Sequence, residues 1–231
     1  MSRSVEPFRI VVLLGSILVW CGGGLGAQPL LEMGPNGEVT EDSLHRVDQS
    51  VMDAAWVKPG LDLTPYRRIF VMPAGVSFRS IPESENRVRN RESRTEYPLS
   101  DEAKIMFRKV FEETFEEDFA AVEQYEPSKV PGRDVLMVQG FLVDFVSGIP
   151  PERDLDPGSR LILRWEATII LELRDSMSNE MLARTVERER VERLTGAARA
   201  RDEGQQLMRR WSRLLRRRLE ELTEISGIHG S

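Results

Sequence analysis

Regular alternation of apolar and polar residues over positions 161–173 is the clearest hydrophobic pattern in the chain. Apolar side chains occupy every odd position from Leu161 to Leu173, and Arg, Glu and Thr fill most of the positions between them. A period of two over this length predicts a long antiparallel strand with one buried face. The turn-forming sequence at 175–179 and a second mixed segment at 180–192 predict that this strand continues into a hairpin.

Two further segments have helical periodicity. In the first of them, phenylalanine recurs every four residues, at Phe107, Phe111, Phe115 and Phe119. Ser100, which precedes this segment, is a favourable helix N-cap. This spacing favours a core stripe over an aromatic cofactor-binding box. A second helix is predicted over 203–225, with leucines and a tryptophan on one face and six arginines on the other side.

The remaining apolar segments complete the predicted fold. A strand is expected over 68–72, ending or bulging at Pro73, with 76–78 as its continuation, and another over 134–146. A long polar loop is expected over 79–99. The order β-α-β-β-β-α predicts an α+β fold, an antiparallel-dominated sheet of about four strands with two helices packed on one face. This single domain is expected to span 54–228, behind an extended N-terminal arm at 28–53.

The first 27 residues have the features of an export signal. Arg3 and Arg9 precede an apolar run at 10–21, and small residues lead to Ala27. We therefore expect a signal peptide over 1–27 and an exported, periplasmic protein. Cys21, the only cysteine, offers an alternative in which it is lipidated and tethers the protein to the outer membrane. The bulky Trp20 before it disfavours that cleavage, and both interpretations stay open.

Composition and motifs argue against most catalytic chemistry. The net charge of −6 disfavours nucleic acid as a partner. His45 and His229 are the only histidines, and no nucleophile, phosphate-loop or dinucleotide motif is present. Asp154 and Asp156 lie in a segment that resembles a calcium loop, but the later bidentate acid is missing, so a turn is favoured. We predict no catalytic, cofactor-binding or metal-binding residues.

The arginine-rich helix is the one candidate contact surface. Arg209, Arg213, Arg216 and Arg217 could bind an acidic partner or anionic lipid. The alternative, which we favour, is that the helix docks its leucines on the sheet while its arginines meet acids, such as those after Phe111. Attachment to a membrane is expected only through the possible lipid anchor.

The segment at 53–78 resembles a known family. Its aromatic, Pro-Gly, Asp and Tyr-Arg positions follow the order found at the entry to a strand in the domain of unknown function 3313 family, whose members are exported proteobacterial proteins, many of them lipoprotein-like. The similarity extends over about residues 42–195 and implies no activity. The Trp20–Cys21 junction departs from the lipoprotein pattern. The matching residues are Trp56, Pro59, Gly60, Asp62, Leu63, Tyr66 and Arg67.

These observations together predict an exported bacterial envelope protein with a non-catalytic binding or accessory role, whose partner is an envelope protein or a lipid. A hydrolase-type envelope enzyme is the alternative, and it would need a carboxylate site such as Glu166 or Glu172 on the long strand. A structural envelope subunit is the third hypothesis, and it would expose a large apolar patch.

Overall fold

A computed structural model describes residues 30–32, 37–48, 50–81, 96–148, 158, 160–196 and 199–229. The predicted signal peptide, Cys21 and the segment containing Asp154 and Asp156 lie outside the described residues. Within the described ranges the chain forms nine strands and two helices. Their bounds are β1 (Leu30–Leu31), β2 (His45–Asp48), β3 (Ala54–Val57), β4 (Arg68–Val71), β5 (Gly75–Phe78), α1 (Asp101–Ala120), β6 (Glu126–Pro127), β7 (Val135–Ser147), β8 (Arg160–Asp175), β9 (Met181–Gly196) and α2 (Ala200–His229).

All the described strands belong to one mixed sheet, in the order β1-β2-β3-β9-β8-β7-β4-β6, with β5 also paired to β7. The prediction of about four strands in an antiparallel-dominated sheet is therefore wrong, while the general α+β class holds. The strands β4 and β5 run parallel to β7, because α1 carries the chain back across the sheet before β7 begins. The additional strands are only two to four residues long, too short to show alternation in the sequence.

The two helices meet over the centre of the sheet. At Gly140 in β7, an added Cβ atom would lie 2.4 Å from Cε2 of Phe115 in α1 and 2.9 Å from Cδ1 of Leu215 in α2. Both helices therefore cover the same face of β7. The predicted phenylalanine stripe of α1 is buried against this face, and Ser100 caps the helix by accepting a hydrogen bond from the Ala103 N–H at 3.2 Å.

The strands β4 and β5 both run parallel to β7 along the same side of it and are separated at Pro73. β4 pairs with residues 135–138 of β7, and β5 pairs with residues 141–145. Proline lacks the N–H needed for a ladder, so the predicted end of the strand at Pro73 is confirmed. The Gln139 side chain fills the break, since its Nε2 donates to the Pro73 carbonyl at 3.0 Å.

The β8–β9 hairpin extends beyond the rest of the sheet. Pairing between β7 and β8 stops at Ser147 opposite Trp165, followed by one hydrogen bond from the Gly148 N–H to the Arg164 carbonyl, so among the described strands residues 160–163 of β8 pair only with β9. On the other side, β3 pairs with β9 only over 183–186. The helix α2 lies against this hairpin, and Arg193 of β9 contacts Glu203 of α2 at 2.6 Å.

Candidate functional site

A cavity of about 330 Å³ lies between α2 and the β8–β9 hairpin. Its apolar wall includes Trp165 from β8, Val191 from β9 and Leu207 from α2, and the indole of Trp165 is almost fully buried. The polar wall is dominated by cationic side chains. It is formed by Arg193, Glu203, Gln206, Arg209, Arg210 and Arg213.

Helical spacing brings three of these arginines together. Arg213 follows Arg209 by four residues and Arg210 by three, so both project from the same side of α2 as Arg213. This side borders the apolar stripe of α2 that packs on the sheet. On β9, Arg193 shares a face with Val191 two residues earlier, so strand alternation places it at the same cavity.

Acidic residues neutralise only part of this positive charge. Glu203 pairs with Arg193 at 2.6 Å, and Glu189 of β9 approaches Arg210 at 4.0 Å. Arg209 and Arg213 are exposed, and neither has an acidic partner within ion-pair distance among the described residues. The cavity therefore presents two guanidinium groups that are available to an anion.

The buried indole of Trp165 forms part of the apolar wall of the cavity. Its Nε1–H has no hydrogen-bond acceptor in the described part of the chain, and neither have the buried Nε1–H groups of Trp56 and Trp211. The arrangement suits a ligand that combines anionic oxygen atoms with an apolar portion.

The four arginines predicted as contact residues do not all lie at the cavity. Arg209 and Arg213 line the cavity, whereas Arg216 and Arg217 do not. Arg216 is half-buried and lies 3.6 Å from Glu220 on its own helix, and Arg217 is exposed. Arg193 and Arg210, which also line the cavity, are not among the four arginines predicted from the sequence. The described acids that pair with arginines of α2 lie on β9 and on α2 itself, not after Phe111 on α1.

The strongest such pairing joins Arg218 to Glu187. Two hydrogen bonds of 2.5 Å and 2.6 Å link the guanidinium to the carboxylate, and both side chains are nearly buried between α2 and β9. Arg218 also contacts Glu221 at 2.7 Å. This pair fixes α2 on the sheet and leaves Arg218 unavailable to a ligand.

The carboxylates considered for an enzymatic site lie on the sheet face opposite the helices. Glu166 accepts hydrogen bonds from Arg188 at 2.5 Å and from Arg79 at 3.0 Å, and these bonds lower its pKa. Glu172 accepts a hydrogen bond from Arg184 at 3.0 Å. A general acid needs a raised pKa, and Glu166 has the opposite shift. Arginines surround both carboxylates in place of the acidic cleft that this hypothesis requires.

The described residues offer few other ligands. His45 has its Nδ1 atom 3.2 Å from the backbone carbonyl of Glu32. No group of three or more His, Cys, Asp or Glu side chains in the described ranges could hold a metal ion. Among the same residues, no helix has the length and apolar character needed to cross a membrane.

Comparison with known proteins gives structural similarities only. No family model matches the chain, and no curated protein matches it. A neuraminyllactose-binding hemagglutinin homolog from Helicobacter pylori is similar at 12% identity and a TM-score of 0.41, over 72% of this chain and 90% of that one. A PelC dodecamer from Paraburkholderia phytofirmans has 8% identity and a TM-score of 0.30, over 70% and 92% of the two chains. The hypothetical protein CT253 from Chlamydia trachomatis has 11% identity and a TM-score of 0.33, over 71% and 98%.

Proposed function

We propose that this protein is an exported, non-catalytic binding domain of the bacterial envelope, which holds an anionic group of its partner in the arginine-lined cavity. One observation carries the proposal. Arg209 and Arg213 border a cavity of about 330 Å³ and have no acidic partner among the described residues. Arg210, Arg216 and Arg218 of the same helix pair with glutamates, and Arg217 lies outside the cavity, so Arg209 and Arg213 are the unpaired arginines of α2 that line it.

Guanidinium chemistry defines the class of ligand. A planar guanidinium donates two parallel hydrogen bonds to a phosphate or carboxylate, which makes Arg the preferred side chain for these anions. The wall formed by Trp165, Val191 and Leu207 would bury an apolar portion next to the anion. An acidic lipid headgroup and an acidic protein segment both fit this description, and both occur in the envelope.

The cellular location rests on the N-terminal sequence and on the family resemblance. We propose release into the periplasm after cleavage behind Ala27, with a lipid anchor on Cys21 as the alternative. The intact mass of the protein recovered from cell fractions tests this directly. A mass starting at Gln28 supports release, an acylated mass starting at Cys21 supports the tether, and an unprocessed cytoplasmic chain contradicts export.

Binding can be tested with two charge-matched double variants. The first, Arg209→Ala with Arg213→Ala, removes the unpaired arginines of the cavity. The control, Arg133→Ala with Arg217→Ala, removes two exposed arginines that lie outside it. Both lose the same charge, so a non-specific electrostatic attraction would weaken equally in the two.

The probes are phosphatidylcholine vesicles with and without phosphatidylglycerol and, in separate titrations, inorganic phosphate and citrate. We expect the native protein to bind the anionic probes, and we expect the cavity variant alone to lose at least about tenfold in affinity. Vesicle binding without binding of the free anions would identify a lipid headgroup. Equal loss in both variants, or no binding of any probe by the native protein, would contradict the proposal.

A further inference from the structure

Among the described residues, no strand pairs with the outer edge of β9 beyond Val186, where its pairing with β3 ends. Backbone hydrogen bonds identify which residues face it. The Lys58 N–H donates to the Leu182 carbonyl at 2.9 Å, and the Arg188 N–H donates outward to the Asp53 carboxylate at 2.8 Å. Since this orientation alternates along a strand, Arg190 and Glu192 also point their backbone groups outward.

The side chains along this edge form a charge pattern that is complementary to itself. Residues 189–193 read Glu-Arg-Val-Glu-Arg. When two copies of this segment are laid antiparallel with Val191 opposite Val191, Arg190 lies opposite Glu192 and Glu189 lies opposite Arg193. Directly opposed residues of antiparallel strands share one face of the sheet, and opposite charges there are stabilising.

We propose that two copies of this chain associate by antiparallel pairing of their β9 edges, with the twofold axis at Val191. In this register the outward backbone groups of Arg190 meet those of Glu192 from the other copy, as a hydrogen-bonded pair requires. The two sheets would then become one continuous sheet. The partner is identified as a second copy because the same five residues supply both halves of the charge pattern.

Neighbouring registers are less complementary, because each opposes like charges. A twofold axis at Arg190 or at Glu192 would place two identical charges opposite each other, although the axis at Arg190 would also bring Arg188 opposite Glu192. An axis at Glu189 would oppose the two copies of Glu189, and also Arg188 and Arg190. A shift by one residue in only one copy would put the paired side chains on different faces. Alternating charges on an edge strand normally discourage pairing with other chains, and here they select one register.

The residues of this edge are accessible. The side chains of Arg190, Glu192 and Arg193 are 66%, 46% and 51% exposed. Each has a neighbour within its own chain, such as Glu166 at 3.5 Å from Arg190 and Arg164 at 2.8 Å from Glu192. The partner copy would therefore add a second opposite charge to each side chain. Val191 also lines the arginine cavity, so the twofold axis would bring the two cavities next to each other.

Two single charge reversals test this register. In Arg190→Glu, both Arg190–Glu192 contacts of the dimer become contacts between two glutamates. In Glu192→Arg, both become contacts between two arginines. We expect each variant alone to dimerise at least about tenfold more weakly than the native protein. A 1:1 mixture of the two restores an opposite-charge pair at both contacts, so we expect it to form a heterodimer.

Sedimentation velocity over a concentration series measures association, and circular dichroism confirms that each variant is folded. Lys109→Glu and Glu116→Arg are the matched controls, because both side chains are exposed on α1 and the charge changes are the same. We expect these controls to dimerise like the native protein. A native protein that is monomeric at all concentrations, reversals without effect, or a mixture that does not associate would each overturn the proposal. Neither Arg190 nor Glu192 lines the cavity, so anion binding by the native protein is tested independently.

Discussion

Replacement of Gly140 by alanine tests the close contact between the helices and the sheet. The new methyl carbon would lie 2.4 Å from Phe115 Cε2 and 2.9 Å from Leu215 Cδ1, distances that real Cβ contacts essentially never show. Phe115 is fully buried, so its ring cannot move without displacing α1. Overpacking of this kind costs about 1–3 kcal/mol, and the better strand preference of alanine offsets about 0.5–1 kcal/mol of that.

We therefore expect Gly140→Ala to lower the free energy of unfolding by up to about 2.5 kcal/mol and the melting temperature by up to about 10 °C, and to be about 1–3 kcal/mol less favourable than a glycine-to-alanine change without the clash. Urea and thermal denaturation, followed by circular dichroism, measure both quantities. Gly196→Ala is the matched control, because no heavy atom lies within 4 Å of its added Cβ. Adding Phe115→Leu should make the cost of Gly140→Ala smaller, which a double-mutant cycle detects. If Gly140→Ala is as stable as Gly196→Ala, the contact described here is wrong.

Three further changes test other contacts. Arg218→Met leaves the Glu187 carboxylate buried without its partner, and we expect a loss of about 3–5 kcal/mol in urea denaturation, much of it recovered by adding Glu187→Leu. The pKa of Glu166 is lowered by hydrogen bonds, the largest effect coming from Arg188, so its contribution to stability is present above the unfolded-state pKa of about 4.3 and is lost as the pH falls through the lower folded-state pKa. Glu166→Gln should therefore lower the melting temperature at pH 7 but have a smaller effect near pH 3. Ser100→Ala removes the cap of α1, and a loss of about 1 kcal/mol in thermal denaturation is expected; an unchanged melting temperature would contradict the cap.

Long periodic segments were predictable from the sequence. The four phenylalanines of α1 recur at a constant spacing, and the apolar residues of β8 occupy seven alternate positions. Each pattern is long enough to identify its element even where one residue departs from it, as the apolar Ile170 does at a polar position of β8. The direction of β4 was not predictable in this way, because strand alternation is the same in parallel and antiparallel sheets. Only the path of the chain through α1 decides it. The short edge strands, such as β6 with two residues, have no periodicity to detect.

The candidate site was predictable only in part. Arg209 and Arg213 stand out because they belong to a dense arginine cluster on a predicted helix. Arg193 belongs to a different element, and only the packing of α2 against β9 brings it to the same cavity. The charge pattern at 189–193 is visible in the sequence, but the strand order of the folded sheet is needed to show that no described strand pairs with β9 there.

The strand order has a consequence for the timing of folding. The residues of β3 at 54–57 pair with residues 183–186 of β9, and α2, which covers the sheet, follows after that. Synthesis proceeds from the N-terminus, so β3 cannot pair with β9 until β9 has been made near the end of the chain. The apolar face of the β8–β9 hairpin likewise stays exposed until α2 has been made. Such long-range pairing slows folding and prolongs the exposure of apolar surface and unpaired strand edges. The growing chain therefore stays without a complete core until α2 is available, and release of a shortened product would leave an aggregation-prone sheet.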